Sequence, residues 1–249
     1  MFFLLLAAAF ACPDDQVVGL QLKPWKAHLL TARPGSDEQH AGMAALRMKA
    51  VPEGPDGEAD CLQKPRVEGV DIFDSKLTGL GDKLLQVRFR LCKGTPDEWQ
   101  SLRLAVLVPL PEQQWCLLGG EELSADRAPQ DLPCGEKLPL TVALKEMVEK
   151  GRNVVEAHDQ SGSCASGAGM TNARLALYEA QGPALKKIFE SQLAESNGTA
   201  GGQVLVQRTR LTLGKTFPKT IHLERCIQAD CDTIGDFAYA KAEGKYLGR

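Results

Sequence analysis

Residues 84–119 read LLQVRFRLCKGTPDEWQSLRLAVLVPLPEQQWCLLG, apolar runs separated by polar links. In the first run Leu85, Val87, Phe89 and Leu91 fall on one side of an extended chain, and Gln86, Arg88 and Arg90 fall on the other. That period of two marks a half-buried strand. In the next run Leu102, Leu104, Val106 and Val108 alternate against Arg103 and Ala105. Leu107 and Pro109 mark where the second face is also covered or where the strand ends at an edge. The link between the runs holds Gly94, Pro96 and Asp97, all turn formers, so the two strands are expected to pair antiparallel. Residues 115–118 supply a third strand after Pro111. The stretch carries no chemistry; it reads as the structural meander around which the rest is organised.

Outward from this meander, residues 153–159 and 173–180 read as strands joined by a Gly/Ser loop at 161–169, and residues 204–213 and 220–227 as two more. Residues 237–247 read as a terminal hairpin about Glu243-Gly244, and residues 17–22 as a short strand. Thr141 is placed to N-cap a helix over 142–150, with Leu144, Met147 and Val148 on one face and Gly151 as its stop. Two segments stay open between helix and strand: residues 43–51, and residues 183–193 with Pro183 in the first turn. Residues 121–137 are polar and turn-rich and read as a surface loop. Residues 52–64, rich in Pro, Gly and acidic side chains, mark a boundary. The expected fold is therefore mainly β, with antiparallel sheets in a sandwich or propeller-like arrangement and one or two short helices. The expected organisation is a signal peptide over 1–11, an N-terminal extension over 12–65 and a β-rich domain over 66–249.

The chain opens MFFLLLAAAFA, an apolar run too short to span a bilayer as a helix, followed by Cys12-Pro13-Asp14. Ala9-Phe10-Ala11 fits the small-x-small pattern of a secretory cleavage site, whereas cleavage before Cys12 with lipidation of its thiol would make a lipoprotein. Both place the mature start at Cys12. The run lacks a positive n-region and carries a bulky Phe10, so a mis-called start codon and a buried N-terminal strand stand as the alternatives. The chain has 8 cysteines and no Cys-x-x-Cys or zinc-type histidine spacing, which favours disulfides and an oxidising compartment, with no metal or other cofactor. The disulfide candidates are Cys61, Cys92, Cys116, Cys134, Cys226 and Cys231. Cys116 with Cys134 and Cys226 with Cys231 are the sequence-local pairs, and Cys164 is left over if Cys12 carries lipid.

A net charge of −3 and the absence of a basic stripe with interleaved aromatics exclude a nucleic-acid binder. Reactive residue types crowd together only at His158, Asp159, Ser161, Ser163 and Cys164, yet no Gly-x-Ser-x-Gly or Ser-x-x-Lys is present. His158, Asp159 and Ser161 are the catalytic candidates of a hydrolase reading, against a plain reading as strand end and polar turn. The glycine-rich loop at 162–169 lacks the lysine and spacing of a phosphate loop, and Asp71, Asp74 and Asp82 lack the spacing of a calcium loop. Asn197-Gly198-Thr199 is a glycosylation sequon by pattern.

Residues 153–189, NVVEAHDQSGSCASGAGMTNARLALYEAQGPALKKIF, resemble the strand, Gly-rich loop, strand and "LYEA-x-G" unit of exported bacterial proteins and lipoproteins without an assigned activity. They also resemble a degenerate integrin-type propeller repeat in which only Asp159 remains of the calcium loop. The resemblance implies an exported β-rich protein. The expectation is a binding or scaffold protein of the periplasm or cell envelope, non-enzymatic, whose partner is an envelope protein or ligand. Its only membrane contact would be a lipid anchor at Cys12. The alternatives are a secreted hydrolase using the His158/Asp159/Ser161 region and, after it, a cofactor carrier.

Overall fold

The alternating runs of 84–91 and 101–110 are strands β3 (Lys83–Leu91) and β4 (Trp99–Pro109), paired antiparallel from Lys83↔Leu107 to Leu91↔Trp99. They are seen in a computed structural model that describes residues 12–48, 64–91, 99–126, 140–165, 168–198, 204–227 and 230–248. Among these residues the protein is mainly β, with two short helices.

β1 (Val17–Gly19) precedes helices α1 (Leu22–Thr31) and α2 (Asp37–Ala44). Then come β2 (Arg66–Asp74), β3, β4, β5 (Gln114–Asp126), β6 (Thr141–Glu146), β7 (Asn153–Ala165), β8 (Ala168–Gln181) and β9 (Ala184–Gly198). β10 (Val204–Leu213), β11 (Ile221–Ile227), β12 (Asp230–Ala240) and β13 (Lys245–Gly248) complete the order. The hydrogen-bonded path runs β2-β3-β4-β5-β7-β8-β9-β10-β11-β12-β13, with β1 added to β5 and β6 added to β7. Its pairings are antiparallel except β5 with β7, which meet at one parallel bridge, Ala125↔Gln160.

The path coils so that its parts stack, because a strand apolar on both faces must be covered on both. Leu102, Leu104, Val106 and Val108 of β4 pack against Val155 and Ala157 of β7 and Ala176, Tyr178 and Ala180 of β8. The opposite face of β7–β9, with Val154, Leu175, Leu177 and Phe189, packs against Ile221, Leu223 and Tyr246. β8 is thus a middle layer. Every residue from 175 to 180 is buried, which is why the sequence there runs almost continuously apolar. The stacking is that of packed sandwich layers.

The helices cover the remaining face of β2–β5. Trp25 and Leu29 of α1 and Met43 of α2 pack on Val70, Leu85, Val87, Phe89 and Leu91. Gly42 lets the helices close, with the Leu29 side chain 3.3 Å from where its Cβ would sit, and Trp25 Nε1 donates to Gly42 O at 2.7 Å. Ser36 caps α2 by accepting from the Gln39 N–H. Cys12 is bonded to Cys116 of β5, S–S 1.95 Å, beside the β1–β5 ladder in which Val17 opposes the same Cys116. Residues 12–48 are therefore seated on the first part of the sheet through a ladder, a disulfide and a shared core.

The β2–β3 connection is organised by Asp82. Its buried carboxylate accepts from Ser75 Oγ, from the Leu77 and Thr78 N–H groups at 2.8 and 3.0 Å, and from Thr78 Oγ1 at 2.6 Å. Burial raises the acid's pKa, but these hydrogen bonds outweigh it and hold the carboxyl below its ordinary range. Asp71 and Asp74, the other acids of the rejected calcium loop, pair with Arg88 and Lys83.

Several expectations are corrected. Residues 141–146 are strand β6, not the start of a helix, since Val142, Leu144 and their neighbours cover the edge of β7 from Thr141↔His158 to Glu146↔Asn153. A ladder plus tertiary burial outweighs the weak local helix preference there. Of residues 183–193, Pro183 lies in the β8–β9 turn and 184–193 belong to strand β9. The Gly/Ser segment is no long loop, because β7 runs to Ala165 and β8 begins at Ala168. β5 continues through Asp126 into what reads as a surface loop. Cys116 pairs with Cys12 instead of Cys134, whereas Cys226 and Cys231 are bonded as expected, S–S 2.08 Å, opposite one another on β11 and β12. The proposed leader at 1–11, the boundary at 52–63, and Cys61, Cys92 and Cys134 lie outside the described residues, as does Thr199 of the sequon.

Two stability outcomes follow. The Cys12–Cys116 bond closes a sequence separation of 104, so Cys12→Ser lowers unfolding free energy by about 2–4 kcal/mol; equilibrium urea unfolding under non-reducing conditions measures it. Asp82→Ala costs about 2–3 kcal/mol at neutral pH. Because the folded acid has the lower pKa, the wild type loses this advantage as pH falls below the ordinary value of 3.8. The two proteins' unfolding midpoints converge there, and a variant gap that widens in acid would contradict the assignment.

Candidate functional site

A strand buried on both faces has no room for an unpartnered charge, and β8 carries one acid in its buried run, Glu179. Glu179 lies on the β8 face turned toward β12 and β13, where the Tyr239 hydroxyl donates to its Oε2 at 2.7 Å. Gln181, two residues further on the same face, donates from Nε2 to that oxygen at 2.9 Å and also to Gly244 O at 2.7 Å. Oε2 is thus held by two donors, while Oε1 takes no hydrogen bond from the described residues.

Turn geometry brings these groups together. Gly182 and Gly244 have φ of 57° and 60°, the left-handed conformation that closes the β8–β9 and β12–β13 hairpins. At Gly244 a Cβ would lie 2.7 Å from Gln181 Nε2, so the close approach also requires glycine. Phe189 packs edge to face on Phe237 and Tyr246, and Tyr246 on Tyr239, with centroid distances of 5.3, 5.9 and 5.5 Å. Tyr246 donates to Lys219 O at 2.9 Å.

The result is a cleft of 810 Å³ between the two hairpins. Its charged lining is Glu149, Arg152, Glu179, Lys186, Lys241 and Glu243. Arg152 is committed, with Nη1 3.4 Å from Glu149 and Nε and Nη2 donating to Leu77 O. Burial, then the Glu179 hydrogen bond and charge, push the Tyr239 hydroxyl up to about 12. Burial and the Glu179 charge likewise push Tyr246 up. Both phenols are therefore neutral donors across the physiological range, and the acid at the floor is the acceptor.

The candidates read from sequence are distributed differently. His158 Nε2 lies 3.1 Å from Glu156 Oε1, with Lys145 3.7 Å from the same oxygen. The His158 hydrogen bond, opposed by burial and aided by Lys145, holds Glu156 below the usual carboxylate range. Asp159, the next residue on β7, faces the other way and forms a two-pronged pair with Arg174 at 3.0 and 2.5 Å, which raises the guanidinium further. Ser161 is paired through the backbone with Asn172, about 10 Å along the strand from His158. A strand therefore separates what the sequence sets side by side. Cys164 lies in β7 opposite Gly169. Among the described residues no cluster of His, Cys, Asp or Glu has the makings of a metal site, and no helix is long and apolar enough to cross a membrane.

Sequence reasoning passed over Glu179, Gln181 and Tyr239 as site residues and read Gly244 only as a hairpin turn. The available signal was a lone acid inside the apolar run LALYEA, since a buried polar residue is the informative one. No protein-family model, curated protein or solved structure matches the chain.

Glu179→Gln removes the charge that adds to burial in holding Tyr239 protonated, so the phenol titrates below about 12, while its burial keeps it above the ordinary 10. Difference absorbance near 295 nm across alkaline pH, compared with Tyr239→Phe to identify the transition, measures the shift. An unchanged Tyr239 transition in Glu179→Gln would remove this contact as its cause.

Proposed function

We propose that this protein is an exported, non-enzymatic binding protein of the cell envelope, and that its ligand occupies the cleft between the β8–β9 and β12–β13 hairpins. The observation that carries the reading is Glu179: a buried carboxylate held on one oxygen by Tyr239 and Gln181, with the other left without a donor among the described residues, in the lining of an 810 Å³ cleft. A pre-organised polar group in a concave site of this size is the usual make-up of a small-molecule pocket. Hairpin turns on a rigid layered scaffold are well suited to present it.

Export is supported by the bonded pairs Cys12–Cys116 and Cys226–Cys231, which persist in an oxidising compartment and not in a reducing cytosol. The Cys12 sulfur is used in the first of these bonds. The form proposed is accordingly the freely exported one, because lipidation would need the same atom. A binding role is favoured over hydrolysis because His158 and Asp159 face opposite sides of β7 and each is engaged by another partner.

The test uses the full chain purified without reductant from an oxidising compartment and incubated with a filtered small-molecule extract of envelopes. Native mass spectrometry is expected to show an adduct on the wild type that is lost in Ala242→Trp, a substitution at the exposed mouth of the cleft. Equal retention by both proteins, or none by either, would overturn the cleft as the site. Alkylation before and after reduction reports the compartment: a chain with Cys12 and Cys116 both free when isolated would contradict export in this form.

A further inference from the structure

We infer that the cleft recognises the ammonium and carboxylate of a zwitterion carried on a single carbon, the head group of a free α-amino acid. This inference rests on the cleft being the ligand site. Its basis is a cross-strand pair that does not close on itself. Glu179 of β8 and Lys186 of β9 are direct partners in the ladder, and both line the cleft. Side chains in such positions start only about 5 Å apart at Cβ, and an acid and a lysine so placed ordinarily form an ion pair. Here no ion pair joins them: Glu179 turns its Oε2 to Tyr239 and Gln181, and Lys186 is exposed at the rim. An anionic acceptor and a cationic donor thus stand on ladder-paired residues, each with capacity left over among the described residues.

The charge balance of the cleft narrows the ligand. Glu149 and Arg152 satisfy one another. That leaves Glu179 and Glu243 against Lys186 and Lys241, a lining of no net charge. An anion alone would have to approach a buried carboxylate that hydrogen bonds hold in place, at low local dielectric. A cation alone would be met at the rim by Lys186 and Lys241. A molecule with an ammonium for Glu179 Oε1 and a carboxylate for Lys186 meets neither obstacle, and proximity of the two protein groups requires proximity of the two ligand groups. Tyr239 and Gln181 act as positioning residues, fixing Oε2 so that Oε1 presents a single direction to the incoming N–H donor. The cleft extends well beyond a head group, leaving room for the amino acid's side chain.

The experiment is isothermal titration calorimetry on the oxidised full chain. The probes are the common L-amino acids, the primary amine and the carboxylic acid matched to each, and dipeptides. At least one amino acid is expected to bind, with its matched amine and acid each at least about tenfold weaker. Lys186→Met and Glu179→Gln are each expected to weaken that amino acid about tenfold or more. Lys186 is exposed, so its variant carries the test should Glu179→Gln prove unstable. The inference falls if an amine or acid half binds as well as the whole, if dipeptides bind more tightly than every free amino acid, or if no amino acid binds at about 10 mM. A cleft-dependent adduct from envelope extract together with a silent amino-acid panel would reject the ligand class alone. Unchanged amino-acid binding by Ala242→Trp would reject the cleft itself.

Discussion

Burial of β8 on both faces is the constraint from which the rest of the architecture follows. One face is covered by β4 through Leu104 and Val106, and the other by β11 and β13 through Leu223 and Tyr246. A full Leu or Phe burial contributes about 1.5–3 kcal/mol, so a strand with both faces apolar gains from both neighbours only if the sheet coils around it. The coil in turn fixes where polar groups can be tolerated. Glu179 sits near the end of the buried run, where the layers part, and it is accommodated because Tyr239 and Gln181 supply donors. In the middle of the same strand the corresponding positions are Leu175 and Leu177.

The first part of the sheet is protected by other means. Its outer face would be bare without the N-terminal segment, and α1 and α2 cover it with Trp25, Leu29 and Met43. These helices are short, and helices of such length are marginal in isolation. Their stability comes from the contact with β2–β5 and from local devices such as the Ser36 cap and the Trp25 to Gly42 hydrogen bond. The Cys12–Cys116 bond and the β1–β5 ladder hold the segment in register at its start, and the Trp115 indole adds a hydrogen bond to Leu20 O at 2.9 Å. Covalent, ladder and packing terms thus act on the same junction.

How much of this was legible depends on the range over which each feature is encoded. Alternation in 84–91, 101–110 and 204–213 is local, and the strands there begin and end within a residue or two of where the pattern places them. Helix α2 also had a local sign, Ser36 with Gln39 three residues later, ahead of a segment otherwise hard to place. Residues 141–150 misled because Thr141, Leu144 and Gly151 form a plausible helix frame, while the competing partner, the free edge of β7, is a tertiary feature. Residues 183–193 were undecidable for the same reason: Leu185, Ile188 and Phe189 satisfy either period until β8 is known to lie alongside. The Cys12–Cys116 pairing was beyond reach of spacing altogether, since sequence proximity favours Cys134 and the actual partner is a hundred residues away.

The candidate site was illegible in a stronger sense, and the fold explains why. Tyr239 and Glu179 are 60 residues apart and Gln181 and Gly244 are 63 apart, so no motif of adjacent residues could register them. They meet because the path leaves β8 through β9, turns through β10 and β11, and returns as β12 and β13 over the face it started from. The same geometry works against the crowded run at His158, Asp159 and Ser161, because extended chain sends neighbours to opposite faces and spreads them at about 3.3 Å per residue. In a coiled antiparallel sheet, then, chemistry is assembled across layers and at their open ends, and reactive residues that are consecutive along a strand are kept apart. The lone acid in an otherwise apolar, doubly buried strand is the one mark such a site leaves in the sequence, since its burial is tolerable only where another layer supplies donors.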